Sequence, residues 1–447
     1  MADDALRIAL LVYRGNPHSG GQGVYTRYLS RHLVALGHHV TVFAGQPWPV
    51  LDDGVGWVPV PSLDLYRQPD PFRLPRAREY RSPIDAAEVA VMLSAGFPEP
   101  RTFAWRVRRE LAARPGQFDV VHDNQTFGRS LLGVMADGWP LLGTCHHPIT
   151  VDRTLDLAHA GGILKRLSKR RWYGFLAMQK RVARQMPRIL TVSESSKRDI
   201  VEQMGVAADS LRVVPIGADQ DRFRPCPQVA RVPGRIMTTV SSDVPLKGLI
   251  PLLEALAKLR TERADAHLVV VGSVRPGSPV SAALERLSLA DAVTFATRVS
   301  DERLVELYAE AQVAVVPSLY EGFSLPAVEA MSCCVPLVAT TGGALPEVVG
   351  TDGEAGILVA PGDAGALAQG MDRLLGDSEL AARAGRGGRQ RVLRRFTWAA
   401  CAQATAEHYR WVIDHQRVDA SRRPGSSPRP PLRRRPGPPS PPAPAPC

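Results

Sequence analysis

Two glutamates, Glu321 and Glu329, stand with seven residues between them in the segment 317–349, which follows a short aliphatic run. Ser324 is a residue type that caps helices, and Pro326 suits a first helical turn. The pattern therefore predicts a helix that begins at about Ser324. Glu321 lies in the loop before this helix, and Glu329 lies about one turn inside it.

The predicted start of this helix is suited to binding an anion. Its backbone N–H groups point outward with the positive end of the helix dipole, which favours a phosphate group. Two carboxylates beside a phosphate would repel it unless they bind hydroxyl groups, which donate hydrogen bonds. We therefore assign Glu321 to the hydroxyls of a sugar and Glu329 to a ribose; the alternatives are a turn residue and a solvated helix face. The predicted diphosphate contacts are Gly322, Phe323, Ser324 and Leu325.

A pair of glycines, Gly20 and Gly21, follows the first predicted strand and precedes a helix. Because glycine has no side chain, a phosphate could approach the backbone closely there. The alternative is a plain turn. The spacing is not Gly-x-Gly-x-x-Gly, so a nicotinamide-binding fingerprint is not indicated.

His146 and Lys247 each follow a predicted strand, over 141–145 and 235–240 respectively. The carboxyl ends of parallel strands are where open α/β sheets bind their ligands. An ammonium at residue 247 could neutralise a departing phosphate. The alternatives are a structural histidine, with His147 beside it as a second candidate, and an exposed surface lysine.

The elements that would position these residues alternate short aliphatic runs with stretches of helical period, which is typical of parallel sheets with crossover helices. The predicted strands are residues 6–13, 39–43, 118–122, 141–146 and 188–192 in the first half, and 235–240, 267–272, 293–296, 313–317 and 335–339 in the second. The fold class is therefore α/β, with two doubly wound, Rossmann-like domains. Their junction falls in the proline-rich segment 219–233, and residues 60–117 are interpreted as an insertion.

The division of the chain follows from this pattern. Residues 1–222 form an N-terminal, acceptor-side domain and 223–395 a C-terminal, nucleotide-binding domain. Residues 396–417 form a helix that returns to the N-terminal domain. Residues 418–447 are expected to be a disordered tail, because the 421–447 stretch holds eleven prolines and six arginines and little that is apolar.

Composition excludes several classes of protein. The formal net charge of +11 falls to +5 without the six tail arginines, which is weak support for a nucleic-acid partner. No apolar run approaches the ~20 residues of a membrane span, and the acidic start does not suit a secretion signal, so we expect a cytoplasmic protein. The six scattered cysteines indicate reduced thiols. Asp219 and Asp221 alone do not indicate a metal site.

The segment 165–188 combines nine basic residues with Leu167, Trp172, Phe175, Leu176 and Met178. This composition suits peripheral contact with an anionic membrane surface, at the inner membrane face. A solvated amphipathic helix is the alternative. If the membrane interpretation holds, the acceptor is a lipid.

The segment EGFSLPAVE resembles the signature of the family 4 retaining glycosyltransferases of GT-B architecture, Glu-Gly-Phe-x-x-Pro-x-x-Glu. Other segments similar to the family follow in its order within residues 6–415: HSGGQGVYTRYLSRHLVALGHHVTVF, VVPIGADQDRF, SDVPLKGLIPLLEAL and the Gly342-Gly343 turn. The resemblance implies two domains that face each other across a cleft. It also implies a nucleoside-diphosphate sugar donor bound without a metal or other cofactor, and an acceptor that the sequence does not identify.

The resemblance also implies roles for single residues. The loop at Gly21 contacts the donor diphosphate, His146 lies near the transferred sugar, and Arg298 lies near the nucleotide base, with a surface arginine as the alternative. Family members usually pair the lysine at position 247 with an arginine five residues earlier, where this sequence has Ser242. Either another basic residue substitutes for that arginine or turnover is reduced.

The implied reaction is front-face transfer that keeps the anomeric configuration, with the leaving phosphate accepting the proton of the acceptor. A retaining hydrolase would need two carboxylates about 5 Å apart, and the sequence offers no convincing pair. Two other hypotheses are a non-catalytic sugar-nucleotide or membrane-binding module, and a phosphorylase, which would require a cofactor-bearing lysine.

Overall fold

The structure of the protein is a computed structural model that describes residues 5–16, 21–67, 70–158, 160–240 and 244–422. Two parallel sheets and their helices form two domains, which confirms the predicted doubly wound α/β architecture. Gly20, Ser242 and the part of the predicted tail beyond residue 422 lie outside the described residues.

Within the described residues, the N-terminal sheet has seven strands in the order β3-β2-β1-β4-β5-β6-β7. Its strands are β1 (Arg7–Val12), β2 (His39–Ala44), β3 (Gly56–Pro59), β4 (Val120–Asn124), β5 (Leu141–Thr144), β6 (Ile189–Thr191) and β7 (Leu211–Val213). Its helices are α1 (Gln22–Ala35), α2 (Pro83–Leu93), α3 (Glu99–Ala112), α4 (Ser130–Ala136), α5 (Thr150–Ala158), α6 (Ile163–Trp172), α7 (Leu176–Ala183) and α8 (Glu194–Asp199). Five strands lie where the sequence predicts them, whereas β3 and β7 have only four and three residues and show no clear pattern.

The C-terminal sheet, as far as the structure describes the chain, has six strands in the order β10-β9-β8-β11-β12-β13. Its strands are β8 (Arg235–Thr239), β9 (His267–Val271), β10 (Val293–Ala296), β11 (Val313–Val316), β12 (Leu337–Thr340) and β13 (Gly356–Val359). The helices that follow are α9 (Leu249–Leu259), α10 (Pro279–Arg286), α11 (Asp301–Glu310), α12 (Leu325–Ser332), α13 (Leu345–Val349), α14 (Ala364–Gly376), α15 (Ser378–Arg395) and α16 (Trp398–Arg422). The first five strands are confirmed, and β13 was not predicted.

In both sheets, the strand order shows where a ligand could bind. The central strands are continuous apolar runs, such as VAVV of β11, because helices cover both faces of the sheet. Strand order reverses between β1 and β4 in one sheet and between β8 and β11 in the other. A crevice opens at such reversals, outside the carboxyl ends of the strands. The loops after these four strands are therefore the positions at which each domain can hold a ligand.

Residues 60–117, interpreted as an insertion, contribute helices α2 and α3. Arg106 bridges the two helices, since its guanidinium donates to the carboxylates of Asp85 and Glu88, each at 2.6 Å. Only 1% of Glu88 is exposed. The charged residues of this segment thus hold an extra layer on the sheet.

The C-terminal helix α16 packs against α1 of the N-terminal domain, although it follows the C-terminal domain in the chain. The Trp398 ring is almost fully buried and stacks on Tyr28, with ring centroids 5.5 Å apart. The hydroxyl of Tyr409, also on α16, forms a hydrogen bond of 2.7 Å with Nδ1 of His122. The helix runs to Arg422, whereas the sequence placed the start of the tail at residue 418.

The basic segment 165–188 spans most of α6, a short turn and α7. Phe175 and Leu176 are buried, and Trp172 packs on Phe97 with ring centroids 5.0 Å apart, so these apolar side chains serve the protein core. That part of the membrane interpretation is wrong. None of the residues of α6 is buried. Its exposed apolar side chains are Ile163, Leu164 and Leu167. In the described part of the chain, no helix is long and apolar enough to cross a bilayer.

We predict that Trp398→Ala lowers the free energy of unfolding by about 3–5 kcal/mol, because the large buried ring leaves a cavity between α16 and α1. Urea unfolding followed by circular dichroism measures this loss. Trp57→Ala is the matched control, because Trp57 is 49% exposed, and it should cost far less. Equal losses in the two variants would contradict the anchoring role of Trp398.

Candidate functional site

Glu321 and Lys247 form an ion pair in the C-terminal domain, with 2.7 Å between Lys247 Nζ and Glu321 Oε1. The same carboxylate oxygen accepts a hydrogen bond of 2.7 Å from the hydroxyl of Ser318. Glu321 is 8% exposed, so its carboxylate is held in one place. The loops after β8 and β11, on either side of the strand-order reversal, therefore meet through these side chains.

The turn that carries Lys247 is fixed by the backbone. Lys247 ends a short 3-10 helix, and Gly248 after it has a left-handed φ of 66°. A Cβ on Gly248 would lie only 2.0 Å from the carbonyl oxygen of Pro317, so only glycine fits. The N–H of Leu319 donates to the carbonyl of Leu246 at 2.7 Å. These contacts bring the lysine to the glutamate loop.

Helix α12 begins at Leu325, and Ser324 caps it by accepting a hydrogen bond from the N–H of Ala327 at 3.4 Å. Ser324 has a φ of 91°, a conformation that costs free energy in a residue with a side chain and is found at functional sites. The first N–H groups of a helix have no intrahelical acceptor. The start of α12 therefore offers the donors that the sequence analysis assigned to a diphosphate. Phe323 contributes only its backbone, because its ring is buried against Phe396.

Glu329 lies inside α12, and its Oε2 accepts a hydrogen bond from the Tyr308 hydroxyl at 3.2 Å. Part of the side chain is accessible, but burial of the carboxyl group raises its pKa to about 7. The hydrogen bond from Tyr308 opposes this shift by stabilising the charged form. Near neutral pH the carboxyl group is therefore poised between its charged and neutral forms.

In the N-terminal domain, Gly21 stands immediately before α1 with a φ of 72°, and its carbonyl accepts from the N–H of Tyr25 at 2.9 Å. No charged side chain belongs to the first turn of α1. The start of this helix thus supplies backbone N–H groups at the carboxyl edge of β1.

His146 lies just beyond β5, with Nε2 2.8 Å from Oδ1 of Asn124. Its ring packs on Tyr25 with centroids 4.7 Å apart, and its backbone N–H donates to the side chain of Gln125 at 2.8 Å. Burial, and then the neighbouring His147, lower the pKa of His146 to about 3. The imidazole is therefore neutral at physiological pH.

The two domains touch at the glutamate loop. The carbonyl of Gly322 accepts from the hydroxyl of Ser193 at 2.7 Å, and the hydroxyl of Ser196 lies 3.1 Å from it. Ser196 also lies 2.9 Å from the carbonyl of His146, and its single proton serves one of the two carbonyls at a time. Nearby, the carboxylate of Glu347 accepts the N–H groups of Glu194 and Ser195, at 2.8 and 2.7 Å.

These contacts connect most of the residues singled out in the sequence around one cleft. Helix α1, which starts after Gly21, meets His146 through Asn124, and the backbone of His146 meets Gly322 through Ser196. Glu321, with its lysine partner, is the residue before Gly322. Arg298 differs: it is exposed after the edge strand β10, and its role stays a prediction. Asp219 accepts the N–H groups of Asp221 and Arg222 in a turn.

Several residues of the site were missed in the sequence. They are Asn124, Ser193, Ser196, Tyr308 and Glu347. A serine that follows a strand and precedes a helix, as in VSESSKRD, is a capping signal that could have drawn attention to Ser193. The other residues can be recognised only from their contacts with residues that are distant in the chain.

We predict that the stability of the wild-type protein falls relative to Glu329→Gln as pH rises from about 4.5 to about 7. Between those values the folded protein holds the Glu329 proton more tightly than the unfolded chain, so stability is lost as pH rises, by about 1.4 kcal/mol per unit of pKa difference. Glutamine has no such proton. Urea unfolding across this pH range measures the difference.

Glu379→Gln, at an exposed helix position, is the control for this comparison and should follow the wild-type protein at every pH. A difference between the wild-type protein and Glu329→Gln that is constant over the whole range would show that the carboxyl group has an ordinary pKa.

Comparisons with known proteins identify the family of the chain. The family model described as Glycosyltransferase Family 4 matches residues 19–222, and the one described as Glycosyl transferases group 1 matches residues 228–391. The chain is 50% identical to an MMP alpha-(1->4)-mannosyltransferase of Mycolicibacterium hassiacum, over 91% of this chain and 98% of that protein. It is 29% identical to a D-inositol 3-phosphate glycosyltransferase of Acidothermus cellulolyticus, over 93% of each chain.

Solved structures are similar in fold. The sucrose-phosphate synthase of Thermosynechococcus elongatus matches with a TM-score of 0.69 and 24% identity, over 92% of this chain and 100% of that one. WaaG, a glycosyltransferase involved in lipopolysaccharide biosynthesis, matches with a TM-score of 0.64 and 19% identity, over 90% and 99% of the two chains. The two facing Rossmann-like domains therefore have the GT-B architecture that the sequence predicts.

Proposed function

Because this chain belongs to the family 4 glycosyltransferases, we propose that it transfers a mannosyl unit from a nucleoside-diphosphate mannose to the 4-hydroxyl of a sugar acceptor, with retention of the anomeric configuration. The proposal rests above all on one arrangement, the Lys247–Glu321 pair beside the start of α12, where a cation, backbone donors and a carboxylate converge. The transferred sugar and the linkage are suggested by the relative from Mycolicibacterium hassiacum, which is 50% identical and is named as an alpha-(1->4)-mannosyltransferase.

The donor diphosphate would lie between the starts of α12 and α1. Backbone N–H groups at both helix starts favour an anion, and their dipoles act in the same sense. Lys247 spends one of its three N–H donors on Glu321, which leaves two for phosphate oxygens. Lys247 and the neutral amides would thus stabilise the negative charge of the leaving diphosphate.

The two carboxylates and the histidine would recognise hydroxyl groups. Glu321, fixed by Lys247 and Ser318, would accept hydrogen bonds from hydroxyls of the mannosyl unit. His146, a neutral ring across the domain contact, would face the same sugar. Glu329 would accept the ribose hydroxyls, and Arg298 would lie near the base. No metal is proposed for the donor, because Lys247 and the backbone amides would meet the phosphates.

The chemical step breaks the bond between the anomeric carbon and the phosphate oxygen, and the electron pair leaves with the diphosphate. The acceptor oxygen attacks from the same face and forms the new bond, while its proton passes to an oxygen of the departing diphosphate. The enzyme contributes positioning and electrostatic stabilisation, and it need not form a covalent intermediate. Closure of the two domains over the donor would exclude water and limit hydrolysis.

We predict that Lys247→Ala lowers kcat for mannosyl transfer by about 10²- to 10³-fold, because a donor to the developing negative charge is removed. Purified enzyme, nucleoside-diphosphate mannose and 4-hydroxyl sugar acceptors are incubated, and the product and its anomeric configuration are determined by NMR. Lys258→Ala, which removes an exposed lysine near the end of α9, should leave kcat unchanged. Inversion of configuration, or equal activity of both variants, would contradict the proposal.

A second surface favours contact with an anionic lipid layer at the inner face of the membrane. Helix α6 carries no acidic residue, and lysines and arginines follow its exposed Ile163 and Leu164. This face can insert apolar side chains while its cations meet lipid phosphates. The acceptor sugar would then belong to a glycolipid.

We predict that the protein sediments with phosphatidylglycerol vesicles but not with phosphatidylcholine vesicles, and that the double variant Ile163→Ser with Leu164→Ser weakens this binding several-fold. Both side chains are exposed, so the substitutions should leave thermal unfolding unchanged. Equal sedimentation with both kinds of vesicle, or a double variant that binds as well as the wild-type protein, would show that α6 is only a solvated helix.

A further inference from the structure

Asn124 is the last residue of β4 and is completely buried, next to the reversal of strand order between β1 and β4. Its side-chain amide has a partner on each side. Nδ2 lies 3.3 Å from the carbonyl oxygen of Gln22 and 3.2 Å from Oγ1 of Thr26, both on α1. Oδ1 lies 2.8 Å from Nε2 of His146. A buried side chain with all its polar atoms engaged has one orientation available.

The orientation of the amide follows from its partners on α1. A carbonyl oxygen such as that of Gln22 can only accept, so the Asn124 atom facing it must be the nitrogen. Thr26 donates its own proton to the Gln22 carbonyl at 2.8 Å and therefore accepts from Asn124 as well. Reversing the amide would place two acceptors in contact. Oδ1 of Asn124 is thereby fixed as the atom that faces His146.

This orientation determines where the proton of His146 lies. Oδ1 of Asn124 has no hydrogen, so Nε2 of His146 must donate to it. A neutral imidazole has a single N–H group, which leaves Nδ1 without a proton and able to accept a hydrogen bond. The charged form, in which both nitrogens donate, is disfavoured because burial lowers the pKa of this ring to about 3.

We propose that Asn124 is a positioning residue that holds His146 in its Nε2–H form, so that Nδ1 accepts a hydrogen bond from a hydroxyl of the transferred sugar. The inference rests on the proposed function for the identity of the hydroxyl, whereas the proton position stands on the contacts of Asn124 alone. A donor sugar that lacks this hydroxyl would leave Nδ1 unpaired in a buried site, which binds poorly.

The same amide couples the histidine to the phosphate side of the cleft. Gln22 and Thr26 belong to the first two turns of α1, which starts directly after Gly21. Tyr25 of this helix also packs on the His146 ring. A shift of α1 on binding a diphosphate would therefore move the histidine with it, and the orientation of the sugar would follow that of the phosphate.

The groups that face the imidazole do not attract a second proton. Tyr25 approaches from α1, His147 follows in the chain, and His122 on β4 interacts unfavourably with a charged His146. Substituting Asn124 by aspartate would place a negative charge against Nε2. That charge should raise the pKa of His146 by at least one unit, since a nearby opposite charge favours the protonated ring.

The test uses the full chain with nitrogen-15 in its histidine rings, and two-bond proton–nitrogen NMR spectra identify the form of each ring. His146 is assigned by the signal that disappears in His146→Gln. The wild-type protein should show neutral Nε2–H at His146 between pH 5 and pH 8. Asn124→Ala should give a mixture of the two neutral forms. Asn124→Asp should raise the pH at which the His146 ring becomes charged by at least one unit, which a titration of both proteins continued below pH 5 follows.

Kinetics with nucleoside-diphosphate mannose supply the second readout. Asn124→Ala should lower kcat by about 10-fold or more with little change in the donor KM, because the diphosphate still binds. Asn124→Asp should lose activity as pH falls, since protonation removes the acceptor at Nδ1. Gln185→Ala, which truncates an exposed amide in the same domain, should match the wild-type protein in spectra and rates.

An Nδ1–H form in the wild-type protein, or an Asn124→Ala spectrum identical to it, would overturn the inference. If thermal unfolding shows that Asn124→Ala does not fold, the wild-type spectrum decides, because the contacts of Asn124 require the Nε2–H form of His146 and an Nδ1–H form contradicts them. Failure of the proposed function is distinguishable, because a wild-type protein without transferase activity would still show the predicted Nε2–H ring.

Discussion

The site depends on hydrogen bonds to the carbonyl oxygen of Gly322. Through them, the hydroxyls of Ser193 and Ser196 in the N-terminal domain hold the glutamate loop of the C-terminal domain. Ser196 lies between this carbonyl and that of His146, so the two sheets present their carboxyl edges to a common space. Each sheet alone offers half a site: helix starts and a histidine on one side, a lysine and a carboxylate on the other. The contact turns two ordinary crevices into one cleft.

Charge is distributed in this cleft according to what each part must bind. Backbone amides and Lys247 line the proposed diphosphate site, where neutral donors limit the cost of burying like charges. The carboxylates are kept from repelling the donor because each is engaged: Glu321 by Lys247 and Ser318, and Glu329 by Tyr308. The neutral ring of His146 adds a hydrogen-bonding group without adding charge.

The sequence predicts the doubly wound domains well, because strands buried on both faces appear as aliphatic runs such as VAVV in β11. It does not predict β7, whose three residues LRV carry no pattern. Glu321 and Glu329 are recognisable from their spacing, whereas the pairing of Glu321 with Lys247 depends on loops 74 residues apart. In the sequence, Asn124 cannot be distinguished from any polar residue at a strand end. Phe175 was predicted to contact a membrane, whereas it is buried in the protein. Both residues acquire their role through tertiary packing.

A crystal structure with a bound nucleoside diphosphate, either UDP or GDP according to which stabilises the protein more, tests the central claim most directly. The account predicts phosphate oxygens within about 3.2 Å of Lys247 Nζ and of the backbone N–H groups at the start of α12, with the start of α1 on the opposite wall. A diphosphate bound outside this cleft, or one held to Glu321 and Glu329 through a metal ion, would contradict it.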